Sequence, residues 1–330
     1  MTKKTFTFIV FTFNHEKYIT EYLESVKYQI EKYGYNIQIK LVISDDSSSD
    51  NTVSMIDIWC DKNKYLFFEI VFIRNKQNLG TCNNFVNTWN EVTSDLFHFC
   101  AGDDLYSFEN IFELSSLTKN YDVVSYMPLY LKDGIISLNY KAILGLVSSN
   151  IIYRSFKNRV KNINYLFAPC LFYNIKIIKN SKISNFIKSF KVVEDLPFQI
   201  MIGEEFKALK FKQKYKVLLY YRRTTNSTYI IKNDNFSRDK VKILEHMIDL
   251  EPFLIKKALI KNRIFCFKSK SFLLKNIFNL NYYIYFLKTL LSLFPILNEF
   301  ISVKIEINSH KMYYDYIRLK ASEFSLNNNK

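Results

Sequence analysis

A chain of 330 residues, 48% hydrophobic and 17% aromatic, is long enough for one large domain with an appendage or for two domains, and those fractions exclude a disordered polymer. Its formal charge of +15 is uneven: eight Lys or Arg residues and no acidic residue lie between Glu251 and Glu299, whereas the first hundred residues mix both signs. Uniform basicity would suggest nucleic acid; a basic, aromatic C-terminal part on a charge-mixed N-terminal part suggests an anionic membrane surface instead.

Residues 5–13 read as a strand apolar enough to be buried on both faces. Asn14 is placed to cap a helix over 16–32, where Ile19, Leu23, Val26 and Ile30 recur at three- and four-residue spacing. A strand over 37–44 leads into Asp45-Asp46-Ser47-Ser48-Ser49-Asp50, a turn cluster that starts a helix near 51–60. A strand over 67–74, a helix over 81–92 and strands over 96–101 and 121–131 follow. Such alternation builds a mostly parallel sheet flanked by helices, with ligands beyond the carboxyl ends of the strands. Asn14, Asp46, Asp103 and Asp104 all fall just after predicted strands, so one sheet edge should collect them.

The strand over 96–101 ends in Gly102, Asp103 and Asp104. Like charges about 4 Å apart repel by roughly 4 kcal/mol at an effective dielectric near 20. A divalent cation would reverse the sign, and a metal-bound diphosphate would complete its shell. The bland alternative is that Asp103 or Asp104 caps a helix over 107–118. His98, within the strand, reads as packed core and not as a ligand.

The stretch 141–220 is less regular. Glu194 and Asp195 sit between an apolar run and a helix over 197–203, with Pro197 in the first turn. A short strand over 217–223 runs into the polar loop Arg222-Arg223-Thr224-Thr225-Asn226-Ser227. From residue 230 the chain reads as helical, Lys-rich and apolar. Residues 277–297 are the one transmembrane candidate, but Asn279, Asn281, Lys288 and Pro295 favour interfacial attachment or core packing over crossing. The five cysteines (Cys60, Cys82, Cys100, Cys170 and Cys266) form no C-x-x-C pair, which fits a reducing compartment. Met1–Lys4 leads into a strand without a signal-peptide pattern, so the expected location is cytoplasmic, peripheral on the inner face of the cytoplasmic membrane.

Together these segments resemble the family 2 glycosyltransferases of GT-A fold. Residues 8–14 look like the family's opening motif, and Asp45-Asp46-Ser47-Ser48-Ser49-Asp50-Asn51-Thr52 like its second. Asn78-Leu79-Gly80 matches the Asn-x-Gly segment, Ala101-Gly102-Asp103-Asp104 the metal-binding position, and Glu194-Asp195 the base motif. The resemblance implies a Rossmann-like GT-A domain over 1–229, followed by a helical, basic region over 230–330 that is expected to associate with membrane. It implies an inverting transferase using a nucleotide sugar, a UDP-sugar by preference, on a lipid-linked or growing surface glycan.

By similarity, Phe13 would pack on the nucleobase, with Thr12 and Asn14 beside the nucleoside and Asn78 and Gly80 on the donor side. Asp46 would accept a hydrogen bond from the base, with Asp45 supporting the turn. Core packing of Phe13 and capping or turn roles for Asp45, Asp46 and Asp50 compete with these roles. Asp103 would hold the ribose or the metal shell and Asp104 would ligate Mn²⁺ or Mg²⁺. Asp195 would be the base, with Glu194 as its orienter or replacement. Relatives often carry a His where Thr224 stands, so Arg222 or Arg223 would have to supply charge to the phosphate, unless both are surface residues. The rival readings are a catalytically silent GT-A scaffold and a nucleotidyltransferase; the latter lacks its Gly-rich phosphate loop.

Overall fold

The computed structural model describes residues 4–163, 165–223 and 234–326. Strands β1 (Lys4–Thr12), β2 (Ile37–Asp45), β3 (Glu69–Arg74) and β4 (Leu96–Ala101) form a parallel sheet in the order β3-β2-β1-β4. The alternation of β1 sends Phe6, Phe8 and Val10 into a core with Tyr22, Leu23 and Val26 of the helix Ile19–Tyr33. Ile9 and Phe11 enter the core on the opposite face, so the central strand is apolar on both sides. The crossover helices Thr52–Asn63 and Thr81–Asn87 complete the expected α/β alternation.

A second, mixed sheet extends the body. It contains β5 (Leu105–Tyr106), β6 (Val123–Lys132), β7 (Ile135–Ser137), β8 (Leu171–Tyr173) and β9 (Phe211–Arg222). The order is β5-β9-β6-β7, with β8 paired to β6. The short strand expected over 217–223 is therefore the end of a longer one, which begins at Phe211 and runs parallel to β6.

Several local expectations change. Asn14 does not cap the first helix, which begins at Ile19 with no side-chain cap. Asn14 instead adopts a left-handed φ of 56°, which Asn tolerates, and its Oδ1 accepts from the Ser49 N–H at 2.8 Å. Neither Asp103 nor Asp104 caps a helix. The helix in that region is Ile111–Ser116, and Asn110 Oδ1 caps it by accepting from Phe112 and Glu113 N–H groups. The helix expected over 81–92 is α-helical to Asn87 and tightens into a 3₁₀ turn, Thr88–Glu91. The helix expected over 197–203 spans Asp195–Glu205, which puts Glu194 and Asp195 at its start.

Past residue 233 the chain forms the helices Asp234–Leu250, Leu254–Lys268, Phe272–Asn276, Leu280–Leu291, Leu293–Ser302 and Ile307–Leu326. No single helix among the described residues is long and apolar enough to cross a membrane. The transmembrane candidate over 277–297 is broken, and Leu280–Leu291 and Leu293–Ser302 bend by 79° at Ser292. The last helix returns to the body, where Tyr313 packs on Tyr28 at 4.7 Å and His310 Nδ1 hydrogen-bonds the Tyr220 hydroxyl at 2.9 Å.

Candidate active site

The parallel register sets the carboxyl ends of β1, β2 and β4 side by side, pairing Thr12 with Asp45 and Phe11 with Ala101. Asp46 N–H donates to the Thr12 carbonyl and Gly102 N–H to the Phe11 carbonyl, both within 3.0 Å. Thr12, Asp45, Asp46, Gly102 and Asp103 thus meet at one edge. Phe13 is 44% exposed there, which removes the core-packing alternative for this ring.

Asp45 supports the turn, accepting from Ser48 N–H at 2.9 Å and Ser48 Oγ at 2.5 Å. Asp50 receives Thr52 N–H at 3.0 Å at the start of the next helix and Glu16 N–H at 3.1 Å. Asp46 is buried and reaches across to the 78–80 turn, accepting from Leu79 N–H at 2.8 Å, Gly80 N–H at 3.0 Å and the Asn75 amide at 3.1 Å. Asn78 Oδ1 also accepts from Gly80 N–H. Gly80 sits at φ +83°, and a Cβ there would stand 2.7 Å from the Lys191 carbonyl. The same carbonyl accepts from Cys82 N–H. A continuous path of contacts therefore runs from Asp46 through Gly80 to the loop carrying Glu194 and Asp195.

That loop has a second anchor. Asp239, buried on the helix Asp234–Leu250, accepts from three successive N–H groups, those of Lys191, Val192 and Val193, at 2.9, 2.8 and 3.2 Å. Beyond it, Asp195 is exposed and Glu194 half-buried. Burial and the adjacent Asp195 push Glu194 up to about 8. Lys240 lies within electrostatic reach of Asp195 and is lowered to about 8, by burial first and then by Arg263. Asp239, Lys240 and Arg263 escaped sequence reasoning because they lie in the helical region, remote from every acidic motif.

At the other end of the edge, the two adjacent aspartates divide. Asp104 is buried, and its Oδ1 accepts the Arg222 backbone N–H at 2.7 Å. Burial, then Asp103, raise its carboxyl well above the usual range. Asp103 is half-exposed, and its carboxylate has no hydrogen-bond partner among the described residues. Arg222 is buried as a strap: its Nε donates to the Asp103 carbonyl at 2.6 Å, its Nη2 to Glu21 at 2.5 Å, and it lies over the Tyr18 ring. Its charge is thus met by Glu21. The neighbouring Arg223 lies over the Tyr130 ring. Thr224, at the usual His position, lies outside the described residues.

Two polar atoms near Gly102, Thr12 Oγ1 and His15 Nδ1, are buried without a partner among the described residues. A Cβ on Gly102 would fall 3.0 Å from His15 Nδ1 and 3.2 Å from Thr12 Oγ1, so only glycine leaves this corner open. His98 is core, bonded to Tyr106 Oη at 2.9 Å, and burial lowers it to about 3. The described residues contain no group of three or more His, Cys, Asp or Glu side chains able to hold a metal ion.

A parallel α/β sheet that collects acidic turns at one edge, with a mixed sheet and a helical C-terminal region beside it, defines a GT-A-type glycosyltransferase. A sequence profile described as glycosyl transferase family 2 matches residues 7–180, and the chain belongs to that family of enzymes. Its sequence is 34% identical over 105 residues to the abequosyltransferase RfbV of Salmonella typhimurium, a match covering 32% of this chain and 30% of that protein. The match thus spans less than a third of that relative's length. The fold resembles S. aureus TarS 1–349 in complex with UDP (TM-score 0.55, 17% identity, 97% of this chain and 88% of that one). It also resembles the mannosyltransferase PcManGT from Pyrobaculum calidifontis in complex with GDP-Man and Mn²⁺ (TM-score 0.57, 11% identity, 99% and 88%).

Two predictions follow from the loop anchors. Asp239→Asn weakens three charge-assisted hydrogen bonds at once and should lower unfolding stability by about 2 kcal/mol in urea titration, with Asp239→Ala worse. The raised Glu194 holds its proton more tightly in the folded chain than in the unfolded one. Its contribution to stability is therefore full at low pH and falls away as pH rises from the ordinary carboxyl value of 4.5 to about 8. Glu194→Gln should flatten that fall in melting temperatures measured across the range.

Proposed function

We propose that this chain transfers a sugar, with inversion, from a nucleoside-diphosphate donor of the UDP class to a hydroxyl on a lipid-linked or growing surface glycan, at the inner face of the cytoplasmic membrane. The observation that carries the reading is the union, through the Asp46–Gly80–Lys191 contacts, of a nucleotide-type turn with an exposed carboxylate at a helix start. The TarS structures with UDP and UDP-GlcNAc support a UDP-class donor, the GDP-Man complex of PcManGT supports a nucleoside-diphosphate sugar without favouring uridine, and the abequosyltransferase relative supports sugar transfer.

In this reading Phe13 covers the base, and Thr12, Asn14 and Asp45 shape the nucleoside cradle. Thr12 Oγ1 and His15 Nδ1 are the polar atoms left for the donor. Asp46, Asn78 and Gly80 act by fixing the turn that faces the sugar. The chemistry of the donor set fits a hard cation such as Mn²⁺ or Mg²⁺: Asp103 would hold it with diphosphate oxygens, and the ion would neutralise charge on the departing diphosphate. Asp104 and Arg222 position Asp103 from behind.

Asp195 takes the proton of the acceptor hydroxyl as that oxygen bonds to the anomeric carbon and the bond to the diphosphate breaks on the opposite face. Burial and the adjacent Asp195 make Glu194 hold its proton more tightly, and Lys240 lies within electrostatic reach of Asp195. General-base assistance of this kind contributes roughly 10²–10⁴ in rate.

Asp195→Asn should retain UDP binding by calorimetry while transfer drops by roughly 10²–10⁴. Equal loss of both would make Asp195 structural, and absence of transfer in the parent chain across donors would favour a silent scaffold. Asp103→Asn should abolish the tightening of UDP binding by Mn²⁺, by about tenfold or more, at unchanged stability. Asp104→Ala leaves the Arg222 N–H without its acceptor and should cost about 1–3 kcal/mol of stability.

A further inference from the structure

We infer that the surface built by residues 254–301 docks into one leaflet of an anionic lipid bilayer, with the elbow between the helices Leu280–Leu291 and Leu293–Ser302 as its inserted wedge. This deepens the proposal of work at the membrane and is independent of the transfer chemistry.

The elbow is held rigidly by the body. Ile296 is fully buried beneath it, Tyr285 Oη hydrogen-bonds Ser148 Oγ at 2.5 Å, and Tyr285 stacks on Tyr153. Asn262 clips the preceding turn, donating to the Phe278 carbonyl and accepting from Leu280 N–H, each at 3.0 Å. Yet the side chains at the bend point away from that support: Leu291 is 89% exposed and Phe294 76%. Phe286 and Leu287 are exposed on the first of these helices, and Phe265 and Phe272 are exposed on the two helices that precede it, Leu254–Lys268 and Phe272–Asn276. A soluble helix hides its apolar face and wets its polar one; here much of the outward surface is apolar, which marks an interaction site.

Geometry and charge select the occupant. The two helices rise only about 18 and 15 Å, against roughly 30 Å of bilayer hydrocarbon, and they bend by 79°. They can lie in one leaflet but cannot cross as one rod. Exposed Lys268, Lys270 and Lys275 flank the elbow in sequence, and no acidic residue occurs between Glu251 and Glu299. That balance complements anionic headgroups and repels a second copy of the same face. Exposed Tyr282 and Tyr283 are of the type that settles at the headgroup level.

The test is flotation of the full chain with phosphatidylcholine vesicles, with and without phosphatidylglycerol. Flotation should require phosphatidylglycerol and weaken at high salt. Leu291→Ser with Phe294→Ser, both exposed, should lower vesicle affinity by about tenfold or more. Lys270→Glu with Lys275→Glu should do the same by charge, and both variants should keep the parent's melting temperature and UDP binding. The inference is overturned if the parent chain fails to float with anionic vesicles, if the Leu291/Phe294 variant floats like the parent, or if light scattering shows a lipid-free dimer that this variant dissolves. Loss of transfer activity with flotation intact would count against the proposed function and leave the docking surface standing.

Discussion

The carboxylate of Asp46 is the contact on which the site depends. It follows β2 in a buried position and accepts two backbone N–H groups from a turn more than thirty residues away. Without that anion the partly buried Leu79 N–H would lose its acceptor, and the Gly80 N–H would keep only Asn78 Oδ1. Gly80, held there, presses against the Lys191 carbonyl so closely that any Cβ would collide. The acidic sheet edge and the loop bearing Glu194 and Asp195 are therefore linked by a short relay of contacts, and the Asp239 carboxylate holds the same loop from the other side.

Arg222 performs the parallel task at the other end. It lies at the end of β9, in the second sheet, yet its backbone and side chain hold Asp104 and the Asp103 carbonyl from behind. The buried cation is matched by Glu21 from the first helix. Adjacent aspartates that look equivalent thereby diverge: one is a buried acceptor for the scaffold and the other retains an uncommitted carboxylate. Charge that would repel a ligand's phosphate if left alone is instead divided between structure and solvent.

The C-terminal helices serve two directions. Toward the body, Asp239 fastens the 191–193 loop and the last helix packs its Tyr313 on the first helix. Away from it, apolar and lysine side chains face outward. A segment that orders the loop bearing Glu194 and Asp195 on one side while meeting lipid on the other would couple attachment to the geometry of that loop. Lys240, desolvated within electrostatic reach of Asp195, and Arg263, desolvated within reach of Lys240, lie on this same bridge.

The mostly parallel α/β alternation, the shared acidic edge and the family were legible in the residues themselves, since apolar strands buried on both faces and turn-forming acids at their ends are local patterns. The second sheet was less so: β9 carries Lys212, Lys214 and Lys216 through its first half, which masks the strand pattern. Asn14 read as a helix cap because its preference for the left-handed region is decided by a partner, Ser49, brought in from the next loop. The split between Asp103 and Asp104 depends on a strand more than a hundred residues on, and the anchoring of 191–193 on the helix Asp234–Leu250, which carries none of the motifs. Sequence by itself determined which chemical groups follow the strand ends, because strand periodicity and turn chemistry are properties of neighbouring residues. Only the tertiary structure decided which carboxylate is spent on backbone N–H groups and which stays open, because burial and long-range hydrogen bonds exist only once distant segments have met.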